Sequence, residues 1–250
     1  MGTLQLRVAY DGTRYAGWQV QKSAGNQKPT IQQALESAFG RILREQVKIA
    51  GSGRTDAGVH AQAQIAHLRT QSSMPVSRLL YSVNQLLPKD IAVLDIRKAA
   101  DGFHARFGAS SKCYRYRVFT GKVVPPFIRA CVYPVRHPLD AALIRREASH
   151  LKGKHDFTAF ARAGGQGSAV RKLYAVKIRK SRDELHFEFE GNGFLHGMVR
   201  SMVGTLLDIG RGRLPAGTIR RMLRTRQRRL AGTTAPACGL TLMRVYYRKS

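Results

Sequence analysis

The sequence predicts an α+β fold made of two βαββαβ subdomains. Three observations carry the prediction. Hydrophobic periodicity alternates between 2 and 3.6 in the order strand, helix, strand, strand, helix, strand. The second half repeats that order without repeating the residues. Composition is that of an ordinary globular chain, with 43% hydrophobic and 23% charged residues among 250. Such units form antiparallel sheets with helices on one face. Two of them side by side would enclose a cleft. The expected boundary lies near Gly108, giving subdomains 1–108 and 109–250.

In the first half Leu4, Leu6, Val8 and Tyr10 alternate with Gln5, Arg7 and Ala9, the pattern of a strand with one buried face. Ile31, Ala34, Leu35, Ala38, Phe39 and Ile42 follow helical spacing. Thr30 and Gln33 stand at capping-box positions before them. Val47 to Ala50 reads as a short strand leading into a glycine-rich loop, and Gln62 to Leu68 as the strand leaving it. A helix over Val76 to Leu86 and a strand over Ile91 to Ile96 complete the half.

In the second half the spacing predicts strands at Lys112–Thr120, Leu173–Lys180 and Leu185–Glu190, with a polar turn between the last two. Helices are predicted at Leu139–Leu151, Leu195–Ile209 and Ala216–Thr225, and a closing strand at Leu240–Tyr247.

Charge narrows the function. Lys and Arg number 43 against 15 Asp and Glu, a net charge of +28 and a pI near 11.1. A polyanionic partner follows, nucleic acid before an anionic membrane. No run of about 18 apolar residues occurs, so no membrane span is expected. The stretch M-G-T-L-Q-L-R has neither a signal-peptide layout nor the myristoylation pattern, since Leu6 replaces the Ser or Thr needed. Cys113, Cys131 and Cys238 are scattered and odd in number, which suits reduced thiols in a cytoplasmic protein. No His stands at a metal-binding interval, and neither a P-loop nor a Rossmann glycine fingerprint is present. No metal is expected.

The densest chemical signal is G-S-G-R-T-D-A-G-V-H-A at 51–61. Asp56 follows Arg54 by two residues, and glycines at 51, 53 and 58 surround the pair. Glycine admits positive φ and close approach of a ligand, and a neighbouring guanidinium favours an ionised carboxylate. The plain alternative is a tight turn with a surface ion pair. His60 suits loop stabilisation better than catalysis.

Tyr114 and Tyr116 in K-C-Y-R-Y-R share one strand face, with Arg115 and Arg117 on the other. They read either as core or as stacking platforms for bases. Arg200, early in an apolar helix, either snorkels to solvent or clamps an anion. Six of the ten residues from 220 to 229 are arginine: Arg220, Arg221, Arg224, Arg226, Arg228 and Arg229. They form either a solvated face or phosphate contacts that supply affinity without sequence reading.

Taken in order, these motifs resemble the tRNA pseudouridine synthase A family nearly end to end. The matching stretches are Y-D-G-T-R-Y-A-G-W-Q-V-Q at 10–21, T-I-Q-Q-A-L-E at 30–36 and G-R-T-D-A-G-V-H-A at 53–61. They continue with F-H-A-R at 103–106, K-C-Y-R-Y at 112–116, H-D-F-T-A-F at 155–160, G-N-G-F-L-H-G-M-V-R at 191–200 and T-A-P-A-C-G-L at 234–240. The resemblance implies that Asp56 is the essential aspartate and Tyr114 the active-site tyrosine. It implies that Arg54, Arg106 and Arg200 fix the carboxylate or the RNA. It further implies a homodimer without cofactor, acting on uridines at family positions 38–40 of the tRNA anticodon arm, held in the basic cleft. Gly197 and Ser201 depart from the family's commoner residues, and Ser52 is a milder variation. The two rivals are a catalytically dead RNA-binding protein, which the intact Asp56 disfavours, and a basic DNA-binding or ribosomal protein, which leaves the glycine loop unexplained.

Overall fold

A computed structural model describes residues 2–20, 28–162 and 167–247. Gln21, the last residue of the opening motif, lies outside the described residues. The chain divides into two compact units. One runs to Ser110 and takes up the chain again from Leu242; the other is Ser111–Thr241.

The first unit follows the expected order: β1 (Gly2–Tyr10), α1 (Ile31–Leu43), β2 (Ala50–Gly51), β3 (His60–Thr70), α2 (Val76–Leu86) and β4 (Ile91–Ala99). β1 is paired antiparallel on both sides, with β3 (Leu6 opposite Ala66) and with β4 (Leu6 opposite Ile96). Leu4, Leu6, Val8 and Tyr10 are buried, as their alternation requires. The Thr30 hydroxyl accepts from the Gln33 amide and the Gln33 side chain accepts from the Thr30 amide, so α1 starts with a complete capping box. A cap of this kind contributes about 1 kcal/mol. α1 buries Ile31, Leu35, Ala38 and Phe39; α2 buries Leu79 and Val83 and packs on β4.

The second unit comprises most of β5 (Ala109–Phe119), then β6 (Tyr133–Pro134), α3 (Ala141–Ser149), β7 (Gly153–Asp156), β8 (Val170–Ser181), β9 (Glu184–Gly191), α4 (Met198–Gly210) and α5 (Thr218–Thr225). β5 pairs antiparallel with β9, β9 with β8 and β8 with β7, while β6 adds a short parallel pairing to β5. α3 packs on β8 and α4. Tyr116, Phe157, Phe160, Phe187, Phe189 and Met202 are fully buried and form its core.

Three expectations need correction. The boundary falls after Ser110, and the second unit ends at Thr241, so the C-terminal subdomain is not 109–250. The strand expected to close the second half, β10 (Leu240–Tyr247), belongs from Leu242 onward to the first unit, where it lies beside β3. There the Tyr247 ring packs on Phe103 and its hydroxyl donates to the Ala105 carbonyl at 2.7 Å. Alternating burial identifies a strand but carries no information about its neighbour. The predicted start of α4 at Leu195 moves to Met198, because Leu195–Gly197 form a turn in which Gly197 takes φ +70°. No helix among the described residues is long and apolar enough to cross a membrane.

Candidate active site

The predicted site residues fall in both units. Arg54, Asp56 and Arg106 are in the first. Tyr114, Arg200 and the arginines from 220 to 229 are in the second.

In the first unit the loop carrying Asp56 lies against the opening motif. The Trp18 amide donates to the Thr55 carbonyl at 3.2 Å, and the Gly58 amide donates to the Tyr15 carbonyl at 3.3 Å. Asp56 is thus held by backbone bonds on either side of it. Its own carbonyl accepts from Val59 at 3.2 Å, closing a turn in which Gly58 has φ +77°. Contact this close demands glycine on the facing strand of chain. Gly17 has φ +96°, and a Cβ there would stand 2.5 Å from the Thr55 oxygen. A Cβ on Gly51 would meet the Trp18 ring at the same distance. Side chains lock the loop from beneath. The Thr55 hydroxyl is 2.9 Å from the Tyr10 hydroxyl, and Ser52 Oγ donates to Gln64 Oε1 at 2.6 Å. Gln64 Nε2 in turn donates to the Gly53 carbonyl at 2.9 Å. Burial raises the Tyr10 pKa well above its ordinary value, which keeps the phenol neutral.

Above this frame Arg54 is exposed and Asp56 half-buried, with buried Thr55 between them. His60 is buried, and its Nδ1 accepts the Gly12 amide at 3.2 Å, which makes it a loop brace, as its sequence context suggested. The Asp11 carboxylate approaches the same nitrogen at 3.1 Å.

Arg106 is exposed, with its guanidinium 5.7 Å from the centre of the Phe107 ring. The segment beneath it is fixed by histidines. His104 Nδ1 accepts from the Arg106 amide at 3.1 Å, and His67 Nδ1 accepts from the Ala105 amide at 3.3 Å. The two imidazoles lie 4.6 Å apart. Burial, then the neighbouring His104, push the His67 pKa below its ordinary value.

In the second unit Tyr114 and Tyr116 share a buried face of β5, opposite Phe189 and Phe187 of β9. Their environments separate them. Tyr116 is core: its hydroxyl donates to the Pro236 carbonyl at 2.8 Å. Tyr114 meets Phe194 edge to face at 5.0 Å, in the glycine-flanked segment before α4. On the other strand face Arg115 and Arg117 pair with Glu188 and Glu184 at 2.7 Å.

Arg200 sits in the first turn of α4 and is half-buried. Its Nε donates to the Ala235 carbonyl at 2.8 Å, and the Ala235 amide donates to the Arg200 carbonyl at 3.1 Å. The T-A-P-A-C-G-L segment is therefore held by Arg200 and Tyr116 together.

The arginine cluster is not uniform. All six arginines, Arg220, Arg221, Arg224, Arg226, Arg228 and Arg229, are exposed. Arg226 pairs with Asp156 at 3.2 Å, and Arg220 reaches His150 at 3.4 Å. Arg228 is distinguished by its partners: its guanidinium donates to the Ala159 carbonyl at 3.3 Å, to Thr234 Oγ1 at 3.0 Å and to Ser201 Oγ. Ser201 is fully buried and supplies that acceptor. Sequence reasoning gave Tyr10, Trp18, Gln64 and Ser201 no part in the site. Gln64 left a trace, as an amide among apolar residues of a strand.

The model of the tRNA pseudouridine synthase family matches residues 7–108 and 148–248. Curated proteins named tRNA pseudouridine synthase A are similar over their whole length. That of Exiguobacterium sp. is 43% identical over 250 residues, covering 100% of this chain and 99% of the relative. That of Pelobacter propionicus is 42% identical over 248 residues, covering 99% and 100%. Among solved structures, a Cbf5–Nop10–Gar1 complex aligns at 12% identity with a TM-score of 0.37, over 95% of this chain and 57% of that one. On the family match and these full-length similarities, the chain belongs to the tRNA pseudouridine synthase family.

Proposed function

We propose that this protein isomerises uridine to pseudouridine in the anticodon stem-loop of tRNA, at family positions 38–40, with Asp56 as the catalytic carboxylate. The observation that carries the assignment is the loop itself. Backbone bonds from Tyr15 and Trp18 grip the chain on either side of Asp56 and hold it in place before substrate arrives.

The reaction breaks the bond from C1′ to N1, turns the uracil and joins C1′ to C5. The base is not released, so no water needs activation, and one carboxylate does what most glycosidases divide between two. Asp56 acts on C1′, on the pyrimidine ring or on the C2′ proton. The target nucleotide leaves its stack at a cost of a few kcal/mol. The Tyr114 ring offsets part of this by stacking on the uracil, worth roughly 1–3 kcal/mol, and its hydroxyl takes part in the final proton transfer. Arg54, Arg106 and Arg200 hold the substrate. Arg220, Arg221, Arg224, Arg226 and Arg229 contact phosphates of the tRNA. The enzyme works in the cytoplasm as a homodimer and needs no cofactor or metal.

The test is pseudouridine mapping in total tRNA from cells with and without the gene. Loss of pseudouridine from the anticodon arm, restored by wild type and not by Asp56→Asn, is the expected result. An unchanged map would overturn the reading.

A further inference from the structure

α4 is predominantly apolar, yet one stripe of it is polar or minute. Ser201, Gly204, Thr205 and Asp208 stand at i, i+3, i+4 and i+7, which brings them onto one face. Each meets the segment from 228 to 235. Arg228 donates to Ser201 Oγ. A Cβ on Gly204 would lie 1.7 Å from the Thr233 carbonyl oxygen, so only glycine allows this approach. The Gly232 amide donates to Thr205 Oγ1 at 3.1 Å, and the Thr233 amide to Asp208 Oδ2 at 2.9 Å. The row ends at Arg200, whose backbone and side chain both bond Ala235.

Arg228 occupies the start of this row and joins three stretches of chain. Its acceptors are Ala159, Ser201 and Thr234, which belong to the H-D-F-T-A-F segment, the first turn of α4 and the T-A-P-A-C-G-L segment. The planar fork of a guanidinium serves several acceptors at fixed angles; an ammonium does not hold that geometry. We infer that Arg228 is a positioning residue: it clamps the 233–235 segment to α4, and through Ala235 it fixes the direction of the Arg200 guanidinium. It is not one of the phosphate contacts. Helix α5 ends at Thr225, and from the turn at Arg228–Leu230 the exposed Arg228 side chain reaches these three acceptors.

The inference rests on the proposed activity only for its rate measurement. The protein is assayed with an unmodified tRNA transcript containing uridines in the anticodon arm. Arg228→Gln should lower the single-turnover rate at saturating tRNA about 10- to 100-fold, the effect of a misplaced site group. The dependence of tRNA affinity on log salt should keep its slope. Arg221→Gln, at one of the proposed phosphate contacts, should instead reduce that slope by about 0.7–0.9. Hydrogen exchange without RNA should show the amides of Gly232, Thr233 and Ala235 losing protection in Arg228→Gln. A slope reduced by a phosphate's worth in Arg228→Gln, undiminished protection at 232–235, or an unchanged saturated rate would each overturn the inference. Should Arg228→Gln fail to fold by circular dichroism, Ser201→Ala takes its place. It removes one acceptor, and it should speed exchange at 232–235 while leaving the salt slope alone; no change in exchange overturns the clamp. A wild type that makes no pseudouridine defeats the functional reading, and exchange and salt slope then still decide the clamp.

Discussion

At Asp56 the local sequence and the folded surroundings agree. The G-R-T-D-A-G run announces a tight loop around a carboxylate, and the fold supplies a loop gripped by Trp18, Tyr15 and Gln64. Asp56→Asn is nearly isosteric and disturbs none of those contacts that involve backbone. It should abolish pseudouridine formation while tRNA binding, measured by filter retention, stays near wild type. Turnover close to wild type would remove Asp56 from its role. Tyr114→Phe keeps the ring against Phe194 and loses the hydroxyl. Stacking survives, so tRNA affinity should hold while product formation falls by about 10²-fold or more, as for a lost general base. A wild-type rate would leave the ring a stacking role alone. His67 makes a prediction about pH. It is neutral in the fold, with Nδ1 accepting from Ala105, and its pKa is lowered by burial and by His104, with Arg69 adding to the shift. Below an unfolded-state value of about 6.5 the unfolded chain binds the proton and the folded one does not, so stability rises with pH through that range and is lost as pH falls. Urea unfolding from pH 7.5 to 5 should show this, and His67→Gln should flatten the dependence.

At the scale of elements, periodicity located α1, α2, α5 and the longer strands, while the short strands β6 and β7 escaped it and β2 lies at Ala50–Gly51, later than the expected 47–50. The polar stripe on α4 escaped such reading. Ser201, Gly204, Thr205 and Asp208 look like interruptions of an apolar helix until the 228–235 segment is laid along them. Arg228 was hidden for the same reason. Its acceptors lie 27 and 69 residues away in sequence, at Ser201 and Ala159, and nothing local separates it from the arginines beside it. Gly204→Ala is the sharpest test of this packing. The added methyl would overlap the Thr233 oxygen, and backbone must move to admit it. A loss of about 1–3 kcal/mol in urea unfolding is expected, the usual cost of overpacking. Activity should fall further than tRNA affinity, since the displaced segment carries Ala235 and hence Arg200. A stability loss with unaltered kcat would show that the segment serves folding alone.

For the whole molecule the governing quantity is charge. Forty-three basic residues against 15 acids leave a net +28, and several acids are already engaged: Glu184 and Glu188 by arginines, and Glu147 by the Gly217 amide at the start of α5. A surplus of this size makes tRNA binding strongly salt-dependent. Replacing Arg221 and Arg224 by Gln should lower the slope of log affinity against log salt by about 1.4–1.8, twice the contribution of one phosphate, without altering which uridine is modified. An unchanged slope would make these two a solvated face. Sedimentation velocity tests the homodimer: a particle of twice 27.8 kDa is expected, and a monomer at working concentration would refute it.

By itself the sequence determined what depends on near neighbours. It marked the longer strands and the helices by their burial period, the α1 capping box by Thr30 and Gln33, the Asp56 loop by its glycines, and a polyanionic partner by net charge. Its motifs, read in order, pointed to the family that the full-length similarities then established. Only the tertiary structure decided what depends on partners distant along the chain. It returned β10 from Leu242 to the first unit, made Tyr116 core by its bond to Pro236, placed Gln64 beneath Gly53 and engaged Arg228 with Ala159, Ser201 and Thr234. The physical reason is the same in each case. Periodicity and composition record whether a side chain is buried, while the identity of the group that receives its hydrogen bond or fills the space beside it is set by long-range packing, which leaves no mark on the local pattern.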